Sequence, residues 1–265
     1  MSSSTMSGRK RKLDSVSVEA TTVKSSHTQD SPPAKTAALI SRYFTGEEKS
    51  GSRLGEDFFN QPCISLAKAF LGKVLVRRLP DGTELRGRVV EAEAYLGGED
   101  KASHSSGGKR TERNTAMFMK PGTIYVYQIY GIYLCMNISS QGEGAAVLLR
   151  SLEPLQGLEA MRELRSARRK ENARLLKDKE LCNGPSKLCQ ALDIQRGFDR
   201  RDLATDHEVW LEQGPESPTP ETVVSAPRIG INYAGEWVSK PLRFYIQGNS
   251  CVSVVDKAAE RASST

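Results

Sequence analysis

The stretch that decides the fold is Thr123-Ile-Tyr-Val-Tyr-Gln-Ile-Tyr-Gly-Ile-Tyr-Leu-Cys-Met-Asn-Ile-Ser-Ser140. It holds four of the chain's eight tyrosines, and its β-branched and aromatic residues favour an extended backbone. Gly131 can adopt φ > 0 without strain, so we expect a β-hairpin that turns at this residue. The tyrosines either fill a core or form a wedge aimed at something flat and apolar, and the pattern alone leaves both interpretations open.

Two strands are predicted upstream of the hairpin, over residues 74–79 and 85–95. One face of the second strand, by period-two alternation, consists of Val89, Glu91, Glu93 and Tyr95. Two carboxylates beside a tyrosine are unusual on a core face. This strand therefore either faces solvent or presents a carboxylate that can act as a general base.

The elements that follow the hairpin are short. A strand is expected over residues 145–150, and helical spacing covers residues 154–169. Late strands are predicted over residues 228–231 and 242–246. A helix opened by Asn183-Gly-Pro-Ser-Lys187 is either an ordinary capped helix or a phosphate-binding helix start.

The charge of the chain favours an anionic partner. Lysine and arginine number 38 against 32 acidic residues, a net charge of +6, and the isoelectric point is near 9.0. Nucleic acid and an acidic membrane surface both suit this balance. No apolar run of about 18 residues is present, so we expect no membrane span and no membrane partner.

Several function classes lack their motifs in this sequence. The five cysteines form no Cys-x-x-Cys pair and the three histidines are scattered, which argues against structural zinc and favours reduced thiols. Phosphate-loop, dinucleotide-binding, nucleophile-elbow and zinc-deaminase signatures are absent from the sequence. What remains is a basic chain with a carboxylate, an imidazole, an arginine and a set of tyrosines, and these together point to an enzyme that extrudes a base and hydrolyses a bond near it.

The first fifty residues read as a disordered tail, since 17 of them are serine or threonine and few are aromatic. The run Arg9-Lys-Arg-Lys12 is typical of a nuclear import signal. Ile40, Tyr43 and Phe44 have the spacing of a sliding-clamp-binding peptide, although Ala37 stands where such peptides usually have glutamine.

Four segments carry a resemblance to a known family: Arg86-Gly-Arg-Val-Val-Glu-Ala-Glu-Ala-Tyr95, Met117-Phe-Met-Lys-Pro-Gly-Thr123, Asn137-Ile-Ser-Ser-Gln-Gly142 and Gly184-Pro-Ser-Lys-Leu-Cys-Gln-Ala-Leu192. On these, the chain resembles the mammalian alkyladenine (3-methyladenine or N-methylpurine) DNA glycosylases from about residue 54 to 256. The resemblance implies an α+β domain, residues 51–258, on a curved antiparallel sheet with a protruding hairpin. It would lie between a disordered tail, residues 1–50, and a disordered end, residues 259–265.

The activity implied by the resemblance is the first step of base excision repair. Such an enzyme flips a damaged purine out of duplex DNA and hydrolyses its N-glycosidic bond, without metal, cofactor or strand cleavage. The substrates would be 3-methyladenine, 7-methylguanine, hypoxanthine and ethenoadenine. We expect a nuclear monomer, with a mitochondrial fraction left open. The alternative is a non-catalytic nucleic-acid-binding module that uses the same hairpin.

Roles follow from the resemblance position by position. Glu93 would be the general base, and Arg150 with the main chain at Ile229 would help hold the attacking water. Tyr95 would stack on one side of the flipped base, and His104 with Tyr127 on the other. The remaining pocket residues would be Asn137, which crowds the place of a guanine 2-amino group, and Cys135, Ser140 and Leu148.

The hairpin tip would fill the gap left in the duplex. Tyr130 would intercalate, with Ile132 and Tyr133 beside it; Ile132 stands where the family usually has methionine. Contacts to the DNA backbone are expected from Lys109, Arg110, Arg113, Arg165, Ser186, Lys187 and Arg196.

The hairpin register can be predicted from this pocket. A two-residue turn at Tyr130-Gly131 would pair Tyr127 with Leu134. A three-residue loop, 130–132, pairs Tyr127 with Cys135 and Tyr125 with Asn137. Only the longer loop puts Tyr127, Cys135 and Asn137 on one face, so we predict it.

Overall fold

The computed structural model of the chain describes residues 52–170, 173–215, 218–219 and 222–263. These residues form one compact unit, and none of their helices is long and apolar enough to cross a membrane. The predicted α+β class is confirmed, because an open antiparallel sheet of eight strands carries a set of short helices. The predicted tail, with its basic run and its clamp-like motif, lies outside the described residues.

The strands and helices have the following bounds. The strands are β1 (Val74–Arg78), β2 (Glu84–Tyr95), β3 (Ile124–Ile129), β4 (Tyr133–Ser139), β5 (Ala146–Gln156), β6 (Val209–Glu212), β7 (Val223–Ala226) and β8 (Arg243–Ile246). The α-helices are α1 (Glu56–Phe59), α2 (Cys63–Phe70), α3 (Leu158–Ser166), α4 (Pro185–Ala191) and α5 (Lys257–Ser263). Shorter 3₁₀ segments are Ser106–Gly108, Glu112–Phe118, Asp178–Glu180, Arg196–Phe198 and Gly235–Trp237.

The sheet is centred on β2. Its strand order is β3-β4-β5-β2-β1-β6, with β8 added to β2 and β7 added to β8. One edge of β2 pairs with β5, whereas the other edge pairs first with β1 and then, from Glu91 to Glu93, with β8. The carboxylate-bearing end of β2 is thus held between two neighbouring strands.

A β-bulge in β2 changes the predicted face of this strand. The register with β5 shifts on both sides of Glu91, and Val89 packs in the main core together with Ala92 and Ala94. A bulge inserts one residue and reverses the alternation beyond it. The prediction that Val89 shares a face with Glu91 and Glu93 is therefore wrong, while the two glutamates and Tyr95 do share one.

Strands β3, β4, β5 and β2 are neighbours in the sheet, and their side chains point alternately to its two faces. Alternate residues enter a main core with side chains of α2, α3 and α4, such as Leu66, Met161 and Leu188. The strand residues on this side are Ala92, Ala94, Ile124, Val126, Met136, Ile138, Val147 and Leu149. By the period of two, the intervening residues face the other side of the sheet.

The outer edge of β3 is covered by groups from outside the sheet. Ile124 exchanges main-chain hydrogen bonds with residues 200–201, at 2.8 Å each. The amide of Val126 donates to the Asp199 carboxylate at 2.9 Å, and the carbonyl of Gln128 accepts from Arg113 at 3.0 Å. Three successive outward-facing positions of this edge strand therefore have partners.

Two predicted elements begin or lie elsewhere. The helix expected from residue 154 begins at Leu158, because β5 continues to Gln156 and Gly157 turns the chain at φ 77°. A Cβ at this glycine would lie 2.6 Å from a Leu85 methyl carbon, so the turn requires glycine. The predicted strand at residues 228–231 is absent, and the chain bends there; the amide of Ile229 donates to the Glu93 carboxylate rather than to a strand carbonyl.

The C-terminal end is helical where disorder was expected from residue 259. Helix α5 covers Lys257–Ser263. The Asp256 carboxylate accepts hydrogen bonds from the amides of Ala258 and Ala259, both at 3.0 Å. This side chain caps the helix start, and Ala259 packs against a small core cluster.

Candidate active site

A cavity of about 690 Å³ opens on the side of the sheet opposite the main core. Its floor comes from the intervening residues of four strands: Tyr95, Tyr125, Tyr127, Cys135, Asn137, Leu148 and Arg150. Loop residues around Ile229 and the hairpin complete the wall. A cavity of this size accommodates a purine with room for its sugar.

Glu93 is completely buried and is not itself among the cavity-lining residues, but the three residues that bind it, Tyr95, Arg150 and Ile229, all line the cavity. Its Oε1 accepts a hydrogen bond from the amide of Ile229 at 2.8 Å and lies 3.2 Å from Nη1 of Arg150. Its Oε2 accepts from the hydroxyl of Tyr95 at 2.9 Å. The alternative of a solvent-facing strand is wrong, because three donors hold this carboxylate away from bulk water.

A second carboxylate, Glu91, supports the first through Arg150. It is also completely buried, and its Oε1 accepts from Nε of Arg150 at 3.0 Å and from Nη1 of Arg243 at 3.1 Å. Its Oε2 accepts from the amide of Ser253 at 2.7 Å. Arg150 therefore bridges the two glutamates, and its guanidinium is fixed from both sides.

Another part of the cavity lining consists of Tyr125, Tyr127 and His104. The rings of Tyr125 and Tyr127 stack with centroids 5.7 Å apart, and the His104 ring meets Tyr127 edge-on at 4.5 Å. Nδ1 of His104 lies 2.8 Å from the hydroxyl of Tyr125. These three rings pack against one another and give this part of the cavity an aromatic lining.

This wall is uncharged at neutral pH. Desolvation raises the pKa of Tyr125 to about 12 and raises the pKa of Tyr127 further. Desolvation of the His104 imidazole, together with the charge of Arg113, lowers the pKa of this histidine. Burial and the neighbouring Glu93 raise the pKa of Tyr95 as well. All four rings therefore present neutral faces.

The hairpin has the predicted register. Tyr127 pairs with Cys135 and Tyr125 with Asn137, which leaves residues 130–132 as the loop. Tyr130 and Gly131 both adopt positive φ, 51° and 74°. The three apolar side chains at the tip, Tyr130, Ile132 and Tyr133, are 89%, 62% and 43% exposed.

Most predicted pocket residues meet in the cavity. Tyr95, His104, Tyr127, Cys135, Asn137 and Leu148 all line it. Ser140 is not among the lining residues, and its hydroxyl donates to the carbonyl of Gln141 at 3.1 Å. Ser140 follows the end of β4 at Ser139, and its parity along the strand is opposite to that of Cys135 and Asn137, so the alternation does not direct it into the cavity.

The predicted DNA-backbone residues separate into two groups. Lys109, Arg110, Arg113, Lys187 and Arg196 are exposed, and Ser186 is half-buried. Arg165 is buried and donates to the carbonyls of Glu180 and Leu181. The prediction for Arg165 is therefore wrong: it lies one turn beyond the buried Met161 on the inner side of α3 and holds a neighbouring loop.

Sequence reasoning missed several residues of the site. Tyr125 could have been found, since it has the same strand parity as Tyr127. The sequence alone assigns no role to Glu91, because no pattern pairs it with Arg150. Tyr233 lines the cavity mouth from a loop and is 72% exposed. No periodic signal marks such a loop position. Among the described residues, no group of histidine, cysteine and acidic side chains could hold a metal ion.

Comparison with known proteins gives a consistent result. The sequence pattern of the family described as methylpurine-DNA glycosylase matches residues 57–250. A protein named DNA-3-methyladenine glycosylase from Homo sapiens is 63% identical over 231 residues, covering 87% of this chain and 78% of the relative. The mouse protein of the same name is 66% identical over 221 residues, covering 83% of this chain and 66% of the relative. A probable DNA-3-methyladenine glycosylase from Encephalitozoon cuniculi is 53% identical over 195 residues, 73% of this chain and 89% of the relative.

Proposed function

The chain belongs to the methylpurine-DNA glycosylase family, and we propose that it flips alkylated and deaminated purines out of duplex DNA and hydrolyses their N-glycosidic bonds. The substrates we propose are 3-methyladenine, 7-methylguanine, hypoxanthine and ethenoadenine. The observation that carries this proposal is the position of Glu93. It is a buried carboxylate held by Arg150, Ile229 and Tyr95, three residues that line the aromatic cavity.

In the proposed mechanism, Glu93 removes a proton from water as that water attacks the anomeric carbon of the sugar. The guanidinium of Arg150 and the main chain at Ile229 help hold this water beside Glu93, while the Ile229 amide donates to Oε1 of the carboxylate. The ring of the released purine takes the electron pair of the broken bond. No lysine lines the described cavity, and Schiff-base chemistry with strand cleavage is not part of the mechanism.

The aromatic walls provide most of the affinity for the flipped base. Stacking on tyrosine contributes about 1–3 kcal/mol per base in single-strand binders. An alkylated cationic purine gains a further cation–π contribution of about 0.5–2 kcal/mol. Deaminated and etheno bases lack this charge and depend on the fit of the cavity.

The exposed hairpin tip supports base flipping. Tyr130 has the exposure and the apolar surface of a wedge that unstacks a base step and occupies the gap. Flipping costs a few kcal/mol and least for a weakly paired lesion, so the wedge adds to lesion selection.

The tail carries two further proposals, which rest on sequence alone. The basic run Arg9-Lys-Arg-Lys12 directs the protein to the nucleus, and Ile40, Tyr43 and Phe44 bind a sliding clamp. A clamp pull-down that is lost in the double variant Tyr43→Ala/Phe44→Ala would support the second. Unchanged binding, or no binding by the parent chain, would reject it.

The activity is tested with duplex DNA that contains one hypoxanthine. After incubation and alkali treatment, the parent protein should give a strand break at the lesion, and omission of alkali should give none. Glu93→Gln should bind the duplex but release no base, whereas Glu236→Gln, at an exposed ion pair with Lys101, should match the parent. Parental rates in Glu93→Gln would refute the role of Glu93. Salt-sensitive binding with no released base from the parent would favour the non-catalytic module.

A further inference from the structure

Two charged side chains that the proposed chemistry does not use lie directly behind one wall of the cavity. The Arg228 and Asp100 side chains are both completely buried. Nη1 and Nη2 of the arginine donate to the two carboxylate oxygens, at 2.6 and 2.8 Å. Asp100 is fixed in turn by the amides of Leu96 and Ala102, at 2.9 and 3.0 Å.

The guanidinium lies against the ring of Tyr95. Its central carbon is 4.6 Å from the Tyr95 centroid and 6.0 Å from the centroid of Trp237. Tyr95 lines the cavity, whereas Arg228 does not. The positive charge is therefore on the face of Tyr95 that points away from the cavity.

A cation behind an aromatic ring changes what the front face attracts. The faces of the tyrosine ring carry negative potential, and a guanidinium on one face weakens that potential on the other. A cationic purine stacked in front gains less from the ring and is repelled by the charge behind it. A neutral purine has no such repulsion, and it accepts electron density as the glycosidic bond breaks.

We propose that Arg228 is a positioning and selectivity residue, which acts through the Tyr95 ring to favour neutral damaged purines over cationic ones. Asp100 moderates this effect, because its negative charge offsets part of the guanidinium field. The proposal rests on the proposed function, since it requires a base stacked on Tyr95.

If Arg228 sets selectivity, variants of Arg228 and of Asp100 should shift the preference for neutral over cationic lesions in opposite directions. A structural role predicts no such opposition. Arg228→Gln removes the positive charge, so the preference for neutral lesions should fall by about 3- to 10-fold. Asp100→Asn leaves the guanidinium uncompensated, so the same preference should rise. Arg228→Lys keeps the charge and should stay close to the parent. A purely structural role would lower both activities together and leave their ratio unchanged.

The ratio is measured by competition. Duplexes with hypoxanthine and with 7-methylguanine are mixed in excess over the enzyme, and the two released bases are quantified at early times. The ratio of initial rates gives the ratio of second-order rate constants, so variants that fold partially do not distort it. Arg88→Gln is the control, because it breaks an ion pair between β2 and β5, with Nε of Arg88 2.8 Å from the Glu153 carboxylate, and neither residue lines the cavity.

The outcomes separate the two proposals. If the parent releases both bases, but Arg228→Gln and Asp100→Asn leave the ratio of hypoxanthine to 7-methylguanine release unchanged, the selectivity role is overturned and the proposed function stands. The same holds if both variants shift this ratio in the same direction. Release of neither base by the parent would overturn both. Opposite shifts, with the parental ratio in Arg88→Gln, are the expected result.

Discussion

Replacement of Glu91 by glutamine tests whether the buried charges beneath the cavity form one unit. Glutamine keeps the shape of the side chain but leaves the guanidinium groups of Arg150 and Arg243 facing a neutral amide. Their side chains are only 8% and 3% exposed. Removal of one partner of a buried ion pair costs about 3–5 kcal/mol. At about 2–4 °C per kcal/mol for a domain of this size, the unfolding midpoint should fall by about 6–20 °C.

Glu91→Gln should also slow base release by the folded protein, beyond the loss of activity that comes from partial unfolding. The bond from Nε of Arg150 to Glu91 fixes the guanidinium whose Nη1 contacts Glu93. A hydrogen bond to a charged group contributes about 1.5–3 kcal/mol. If that free energy is needed to hold Arg150 in place, release of hypoxanthine should slow by about 10- to 150-fold.

The assay combines far-UV circular dichroism melts with single-turnover release at a temperature where every variant is folded. Glu236→Gln removes one charge of an exposed pair with Lys101 and should melt within about 2 °C of the parent, because exposed pairs contribute little. A Glu91→Gln variant that melts with this control and releases base at the parental rate would refute the coupling of Glu91 to Arg150.

Three further outcomes are expected. Tyr130→Ala should lose more activity on duplex than on single-stranded substrate while Tyr130→Phe retains it, and equal losses on both substrates would reject the wedge. Arg196→Ala should reduce the slope of log affinity against log salt by about 0.9, whereas Arg165→Ala should lower the melting temperature and leave that slope unchanged. Burial raises the pKa of Cys182 from 9.0 to about 12. The contribution of the buried thiol to stability is therefore complete below pH 9 and is lost as pH rises toward about 12. Melting temperatures measured across this range should fall with pH, and the fall should be smaller in Cys182→Ala.

The hairpin could be predicted from the sequence because its constraints are local. Strand alternation, a glycine at the turn and the need to bring Tyr127, Cys135 and Asn137 together select one loop length, and the structure confirms that register. The spacing of Glu91 and Glu93 by two residues likewise predicted that β2 presents both carboxylates on one face.

The predictions that are wrong concern positions whose structure depends on contacts with segments distant along the chain. The bulge at Glu91 has no glycine or proline to mark it, and it exists where β2 changes partners from β1 to β8. Arg165 looked like a surface cation, but its partners are carbonyls at residues 180–181, in a loop that the helical pattern does not specify. At residues 228–231 the main-chain amide of Ile229 donates to the carboxylate of Glu93, and Arg228 binds Asp100; both partners lie far away along the chain.

The covered edge of β3 has a consequence for self-association. A hairpin with three exposed apolar side chains at the end of an edge strand is the kind of element through which identical chains polymerise by strand addition. Here the Asp199 carboxylate and the Arg113 guanidinium occupy two of the outward-facing positions, and a second copy would have to displace both charges to pair. These contacts therefore oppose strand addition along the outer edge of β3, even though the hairpin exposes three apolar side chains at its tip.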